Sequence, residues 1–337
     1  MLSILRGLKQ RGVLAINRRN AEFTLKHNPR RLYPLVDDKV RTKKLALENG
    51  VPAPELYGVI EVEGQVKGAR SILEKYDDFV IKPAHGRGGE GIMVIVSSPG
   101  GKYRRSDGLI LDQEELNYHL YAVLSGLYSL GGQPDKAMIE YRVQFDPVFA
   151  QISYQGVPDI RIVVFLGVPV MTMVRLPTRM SQGKANLHQG AIGVGIDIGA
   201  GVTLQGVWKS QIIREHPDTG LSVEGVKIPH WDDLLHLASK CSSMTGLGYQ
   251  GVDIVLDKDK GPMLLELNAR PGLGIQIANA DGLVNRLSLV EREHGNLKTD
   301  NERVAFAKEH FSVKPAPAPE VPANAPPAGP SADENGS

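Results

Sequence analysis

Cysteine is almost absent: Cys241 stands alone in 337 residues, so no internal disulfide can form and nothing calls for an oxidising compartment. It falls in a helical apolar pattern with Leu234, Leu235, Leu237 and Ala238, which predicts an inert core thiol. A charge excess is also missing. Thirty-nine Lys/Arg against 38 Asp/Glu leave a formal net charge of +1, which argues against nucleic acid as the main ligand. No apolar run approaches the roughly 18 residues of a membrane span. The opening MLSILRGLKQRG lacks the long apolar core and small-residue cleavage site of a secretory signal, so a cytoplasmic protein is expected. The P-loop pattern G-x-x-x-x-G-K-[ST], internal repeats and any Ser-His-Asp or Cys-His arrangement are missing too.

What is present suits a globular chain: 42% hydrophobic and 23% charged residues, with length for two packed units or one domain of two lobes at about 150 residues each. Composition shifts at both ends. Residues 315–330 hold seven prolines in sixteen positions, which predicts a disordered tail biased to polyproline II. Residues 1–44 carry twelve Lys/Arg against three acids. Contact with something anionic and a solvated helical face balanced elsewhere are both compatible with that surplus. Between the ends, the pattern is mixed α and β. Asp37 or Asp38 can cap a helix running to Leu47, stopped by Asn49-Gly50. Strands are predicted at 79–83, 91–96, 137–143, 159–167 and 168–176, with helices at 113–130 and 231–245.

The loop AHGRGGEG (84–91) contains G-x-G-x-x-G at Gly86, Gly88 and Gly91. A dinucleotide fingerprint must end a strand and open a helix. Here a strand pattern follows, so the loop is read as a hairpin tip. Its glycines let backbone N–H groups approach phosphate oxygens, and Lys82 at its base adds a cation. In 251–272, the turn Lys258-Asp259-Lys260-Gly261 lies between two apolar runs. Pairing Asp257 with Pro262 sets Asp253 opposite Glu266. Asn268 then falls on the same face. Three oxygen-bearing side chains, with positions left over for phosphates, suit a Mg²⁺–nucleotide site; three solvent-facing polar residues are the plain alternative. Asp159 and Arg161 alternate onto one strand face, and Arg175 and Arg179 follow. Their planar forks suit carboxylate or phosphate.

In order, D-I-R (159–161), N-L-H-x-G (186–190), G-V-D-I (251–254) and E-L-N-A-R-P-G (266–272) resemble the ATP-grasp superfamily, and within it the ribosomal-protein glutamate ligase branch. PLVDDK, GVPAPE and HPDTG look like the α-L-glutamate ligase-like subgroup. The resemblance covers roughly residues 37–285. It implies an α+β ATP-grasp fold of two lobes holding ATP between them. A basic arm (1–36) would precede a first lobe with the glycine loop (37–136) and a second with the metal site (137–290). A terminal helix (291–314) and the tail (315–337) would follow.

By the same resemblance, Lys39 and Lys82 contact the phosphates, and Gly86, Arg87, Gly88 and Gly89 fold over them. Glu140, Tyr141, Arg142 and Val143 hold adenine, with Asp159 on the ribose. Asp253, Glu266 and Asn268 hold one or two Mg²⁺, or Mn²⁺ in their place. Arg161 and Arg175 line the site, and Asn186 lies near the γ-phosphate. The family carries an arginine where this chain has Gln189, and Arg175, Arg179 or Arg270 would have to replace it. The family also carries a substantial preceding domain, whereas 36 residues precede Asp37 here. The implied activity is an ATP-dependent carboxylate–amine ligase acting on small-molecule or peptide substrates. A nucleotide-binding regulatory or scaffold protein is the rival. The arm offers a contact for an acidic partner, and the oligomeric state stays open.

Overall fold

The structure, a computed structural model, describes residues 2–86 and 88–313; Arg87 and the predicted disordered tail lie outside them. Two antiparallel sheets organise the chain. The first contains β1 (Leu56–Ile60), β2 (Phe79–Pro83), β3 (Met93–Ser97), β4 (Tyr103–Arg105), β5 (Ile110–Leu111) and β6 (Ala137–Glu140), in the order β1-β6-β2-β3-β4-β5. The second contains β7 (Asp159–Phe165), β8 (Val168–Leu176), β9 (Ile192–Ile196), β10 (Thr203–Trp208), β11 (Gln211–Ile213), β12 (Tyr249–Asp257) and β13 (Gly261–Asn268), in the order β11-β10-β9-β8-β7-β12-β13. Phe79, Ile81, Ile95, Leu116 and Leu120 form one core, and Phe165, Val174, Leu234 and Tyr249 belong to a second, larger one. Among the described residues, no helix is long and apolar enough to cross a membrane.

Local chemistry sets most boundaries. α1 spans Leu2–Gln10 and α2 spans Lys39–Glu48. Asp38 caps α2, its side chain accepting from the N–H groups of Val40 and Arg41. α3 (Gln113–Leu124) opens on a reciprocal box between Asp112 and Glu115. It ends before Gly126, at φ +82°, rather than continuing to residue 130. α4 (Trp231–Thr245) stops at left-handed Gly246. The β7–β8 turn is Leu166-Gly167, both with positive φ, and their twist suits a two-residue hairpin.

Three expectations need correction. The strand expected at 137–143 ends at Glu140 and lies inside the first sheet, between β1 and β2, so the second lobe does not begin at 137. The single terminal helix at 291–314 is replaced by α5 (Leu283–Glu293) and α6 (Asp300–Phe311), because Thr299 and Glu302 cap a fresh helix after the His294–Asn296 turn. The basic arm is not a separate unit. Leu14, Phe23 and Val36 are buried in the core of the second sheet, and Arg19 donates to the Pro271 carbonyl at 2.7 Å.

Candidate functional site

The first sheet places β6 between β1 and β2 and so brings Glu140 to Lys82. Lys82 Nζ lies 2.5 Å from Glu140 Oε1. Lys43, on α2, donates to the other carboxylate oxygen and, at 2.6 Å, to the Pro54 carbonyl. All three side chains are buried. Burial lowers the Lys43 ammonium to about 8, with Lys82 adding to the effect and Glu140 opposing it. Burial would raise the Glu140 carboxyl, but Lys82 and Lys43 outweigh it and hold the group below its ordinary range. Two cations share one anion, which leaves a surplus positive charge in a buried cleft. Ala53, Met138, Leu264 and Leu265 supply apolar walls from both lobes. The cleft is narrow, with an open cavity of about 10 Å³, and its lysines suit a polyanion.

Above it, the glycine loop joins β2 to β3 as an antiparallel hairpin. Its base is clamped by buried Asp135, which accepts from the His85 N–H and from Ser129 Oγ and lies 2.7 Å from His85 Nδ1. Lys39 Nζ donates to the Gly86 carbonyl at 2.8 Å. The far side of the loop reaches the second lobe. Asn186 Nδ2 lies 3.4 Å from the Gly88 oxygen, and a Cβ on Gly89 would meet the Lys184 stem at 3.3 Å. The two segments singled out from sequence, 84–91 and 186–190, therefore touch across the cleft.

On the second sheet, β12 pairs with β7 and β13 and sets Asp253 opposite both Arg161 and Glu266. The register near the turn differs by one residue from expectation: Asp257 pairs with Gly261, not Pro262. A bulge between Asp253 and Ile254 leaves Leu265 unpaired and restores the expected Asp253–Glu266 and Gly251–Asn268 pairs. Leu265 and its neighbour Leu264 line the cleft.

Arg161 clamps Asp253 through two bonds of 2.7 and 2.6 Å. Arg175 holds Asp159 at 2.5 and 2.6 Å and reaches Asp253 at 2.8 Å. Burial would raise the Asp253 carboxyl, but the two guanidinium groups hold it well below the ordinary range. Burial, aided by Asp253 and opposed by Arg175, pushes Asp159 upward. Glu266 is more open, with 39% of its side chain exposed and Lys39 at 3.5 Å. Asn268 Oδ1 accepts from the Arg270 N–H at 2.8 Å.

The family whose model matches the chain is described as sugar-transfer associated ATP-grasp, over residues 18–292. The chain belongs to that family. Its two antiparallel sheets with flanking helices are the ATP-grasp fold. Among solved structures, the ATP-grasp ligase PsnB complexed with a minimal precursor is 14% identical, with 79% of this chain and 64% of that chain covered and a TM-score of 0.44. D-cycloserine synthetase DcsG is 17% identical, covering 80% of this chain and 73% of that chain, with a TM-score of 0.42. An L-amino acid ligase from Bacillus licheniformis is 14% identical, covering 78% and 48%, with a TM-score of 0.42. The chain thus spans less than two thirds of the PsnB chain. No curated protein matches it.

In this ATP-grasp chain, most of the sequence-predicted residues fall into three groups. Lys39 and Lys82 line the cleft, Glu140 is shared by Lys82 and Lys43, and Lys39 also holds the Gly86 carbonyl of the loop. Asp159, Arg161, Arg175 and Asp253 form a closed salt-bridge network whose charges cancel, so the two arginines are spent on the two aspartates. The third group has separate partners. Tyr141 Oη donates to Asp257 at 2.9 Å, Arg142 pairs with Asp78 at 2.7 Å, and Val143 packs with Val255 and Met263. Arg270 stacks over Tyr33 with its guanidinium carbon 5.1 Å from the ring centroid.

No group of three or more His, Cys, Asp or Glu side chains converges as a metal cluster among the described residues. The remaining donors fit a metal shared with phosphates: Glu266 and Asn268 are open, and Asp253, accepting three bonds, has about one of its four lone-pair sites left. Sequence reasoning missed Lys43 and the His85–Asp135 clamp. Lys39 and Lys43 stand four apart, which places them on one helix face, so the first was findable. Asp135 lies fifty residues beyond His85, and no spacing rule joins them.

Proposed function

We propose that the protein is an ATP-dependent carboxylate–amine ligase. The surplus cation of the Lys43–Glu140–Lys82 group, set beside an apolar cleft under a glycine loop, carries this reading. With the cleft widened to admit it, the ring of ATP would lie against Met138, Leu264 and Leu265. Lys82 and Lys39 would face its phosphates, and the 84–91 loop would cover them. Glu266, Asn268 and the remaining lone pair of Asp253 would hold Mg²⁺, which supplies charge neutralisation of the triphosphate when bound.

A substrate carboxylate oxygen then attacks the γ-phosphorus, giving an acyl phosphate and ADP. An amine attacks the acyl carbon, and inorganic phosphate leaves as the amide forms. Positioning and stabilisation of developing oxyanions account for the acceleration, with no nucleophilic side chain required. Contact between the loop and Asn186 shields the acyl phosphate from water. The exposed Arg270, fixed on Tyr33, is the cation best suited to a substrate carboxylate. Glutamate as that substrate rests on the sequence resemblance alone, and the family's sugar-transfer association supplies no acceptor. Mg-ATP near 100 times its Kd should stabilise the fold by roughly 2.7 kcal/mol; an unchanged melting temperature at millimolar Mg-ATP removes the nucleotide assignment.

Two observations favour a second reading, a nucleotide-binding regulatory protein. Asp253 is engaged by two arginines, and position 189 offers an amide rather than a cation. ADP release that depends on a carboxylate and an amine together separates the two.

A further inference from the structure

Residues 6–16 combine two properties that the nucleotide cleft does not use. Leu8, Val13 and Ile16 are 44%, 36% and 59% exposed. Among them, Arg6, Lys9 and Arg11 are exposed and meet no carboxylate among the described residues, unlike Arg18 and Lys26, which pair with Glu22 and Glu291.

This stretch is not merely loose. The Val284 N–H donates to the Gly12 carbonyl at 2.9 Å, and the Leu14 N–H donates to Gln276 Oε1 at 2.8 Å. Leu14 itself is buried. The exposed side chains therefore stand on a fixed base.

We propose that residues 6–16 dock the protein on a bilayer surface carrying anionic lipids. Headgroup phosphates would satisfy the three unpaired cations while Leu8, Val13 and Ile16 enter the headgroup–acyl boundary. A second copy of the chain would bring like charges face to face. A nucleic acid would pair the cations and leave the apolar side chains in water. The surface is independent of the ligase reading, since none of its residues lines the cleft.

Co-sedimentation of the full chain with phosphatidylcholine vesicles, with and without phosphatidylglycerol, tests the assignment. Binding is expected only to the mixed vesicles. Each cation is worth about five-fold in partitioning, so Arg6→Gln/Lys9→Gln/Arg11→Gln should weaken binding about a hundred-fold. Leu8→Ser/Ile16→Ser should also release the protein while leaving its melting temperature and Mg-ATP binding unchanged. Absence of binding to mixed vesicles overturns the proposal. So does wild-type vesicle binding by the Leu8→Ser/Ile16→Ser variant. Binding to duplex DNA at the same salt that is tighter than to vesicles, and insensitive to the apolar substitutions, assigns the patch to nucleic acid instead.

Discussion

Removing the shared carboxylate and removing one of its lysines should have opposite consequences for the cleft. Glu140→Gln keeps the shape of the side chain but leaves Lys43 and Lys82, both buried, without an anion. Unit charges 4 Å apart interact by about 4 kcal/mol at an effective dielectric near 20. Breaking one side of a buried ion pair costs about 3–5 kcal/mol in measured cases. The variant should therefore melt roughly 6–10 °C below wild type, at roughly 2 °C per kcal/mol for a chain of this size.

Lys82→Met does the reverse. It leaves Lys43 and Glu140 as a neutral pair and fills the space with a side chain of similar length, so it should cost less than about 1 kcal/mol. Its defect should appear in Mg-ATP affinity. The pH dependence sharpens the contrast. Lys43 is held at about 8 in the folded protein against 10.5 as a free side chain, so the unfolded chain keeps its proton longer. Between pH 8 and 10.5 the folded state is relieved of a buried charge, and the contribution of this site to stability rises with pH. In Glu140→Gln the lysine lacks even its counter-ion, so the deficit should shrink between pH 7 and pH 9. Thermal melts of both variants at the two pH values provide the check. Equal melting temperatures for Glu140→Gln and Lys82→Met at pH 7 would refute the charge-sharing argument.

Lys82→Ala should weaken Mg-ATP binding and slow acyl-phosphate formation, and Lys82→Arg should rescue it only partly, because a planar fork does not replace a compact ammonium; nucleotide titration of the pair decides. Glu266→Gln should fold normally, being half-exposed, while Mg²⁺-dependent turnover collapses; unaltered turnover would move the metal elsewhere. Gly91→Ala places a Cβ 2.5 Å from the Tyr128 ring at φ +72°. That conformation alone costs about 1–2 kcal/mol, so calorimetry should show a displaced loop as weaker Mg-ATP binding.

Elements governed by local chemistry were legible in the sequence. Asp38 before α2 and the apolar runs of β7 and β8 each specify their own boundary or face. The β12–β13 pairing shows where such reasoning reaches its limit. The expected Asp253–Glu266 partnership is present, although the turn is one residue tighter than expected. The bulge at Leu265 absorbs the difference, and nothing in the apolar run PMLLEL marks it. Contacts between distant segments left no trace. The arginines were read as groups facing a ligand, whereas Arg161 and Arg175 neutralise the aspartates across the sheet from them. Burial of the basic arm depends on Leu14 and Phe23 meeting strands more than a hundred residues away.

The most direct test of the ligase assignment is ADP release measured across a panel of carboxylates and amines, with hydroxylamine as a trap for activated acyl groups. The predicted result is ADP release that needs both substrates, together with a hydroxamate formed from the carboxylate when hydroxylamine replaces the amine. ADP release independent of any carboxylate, or a phosphorylated product with no hydroxamate, would contradict an acyl-phosphate ligase.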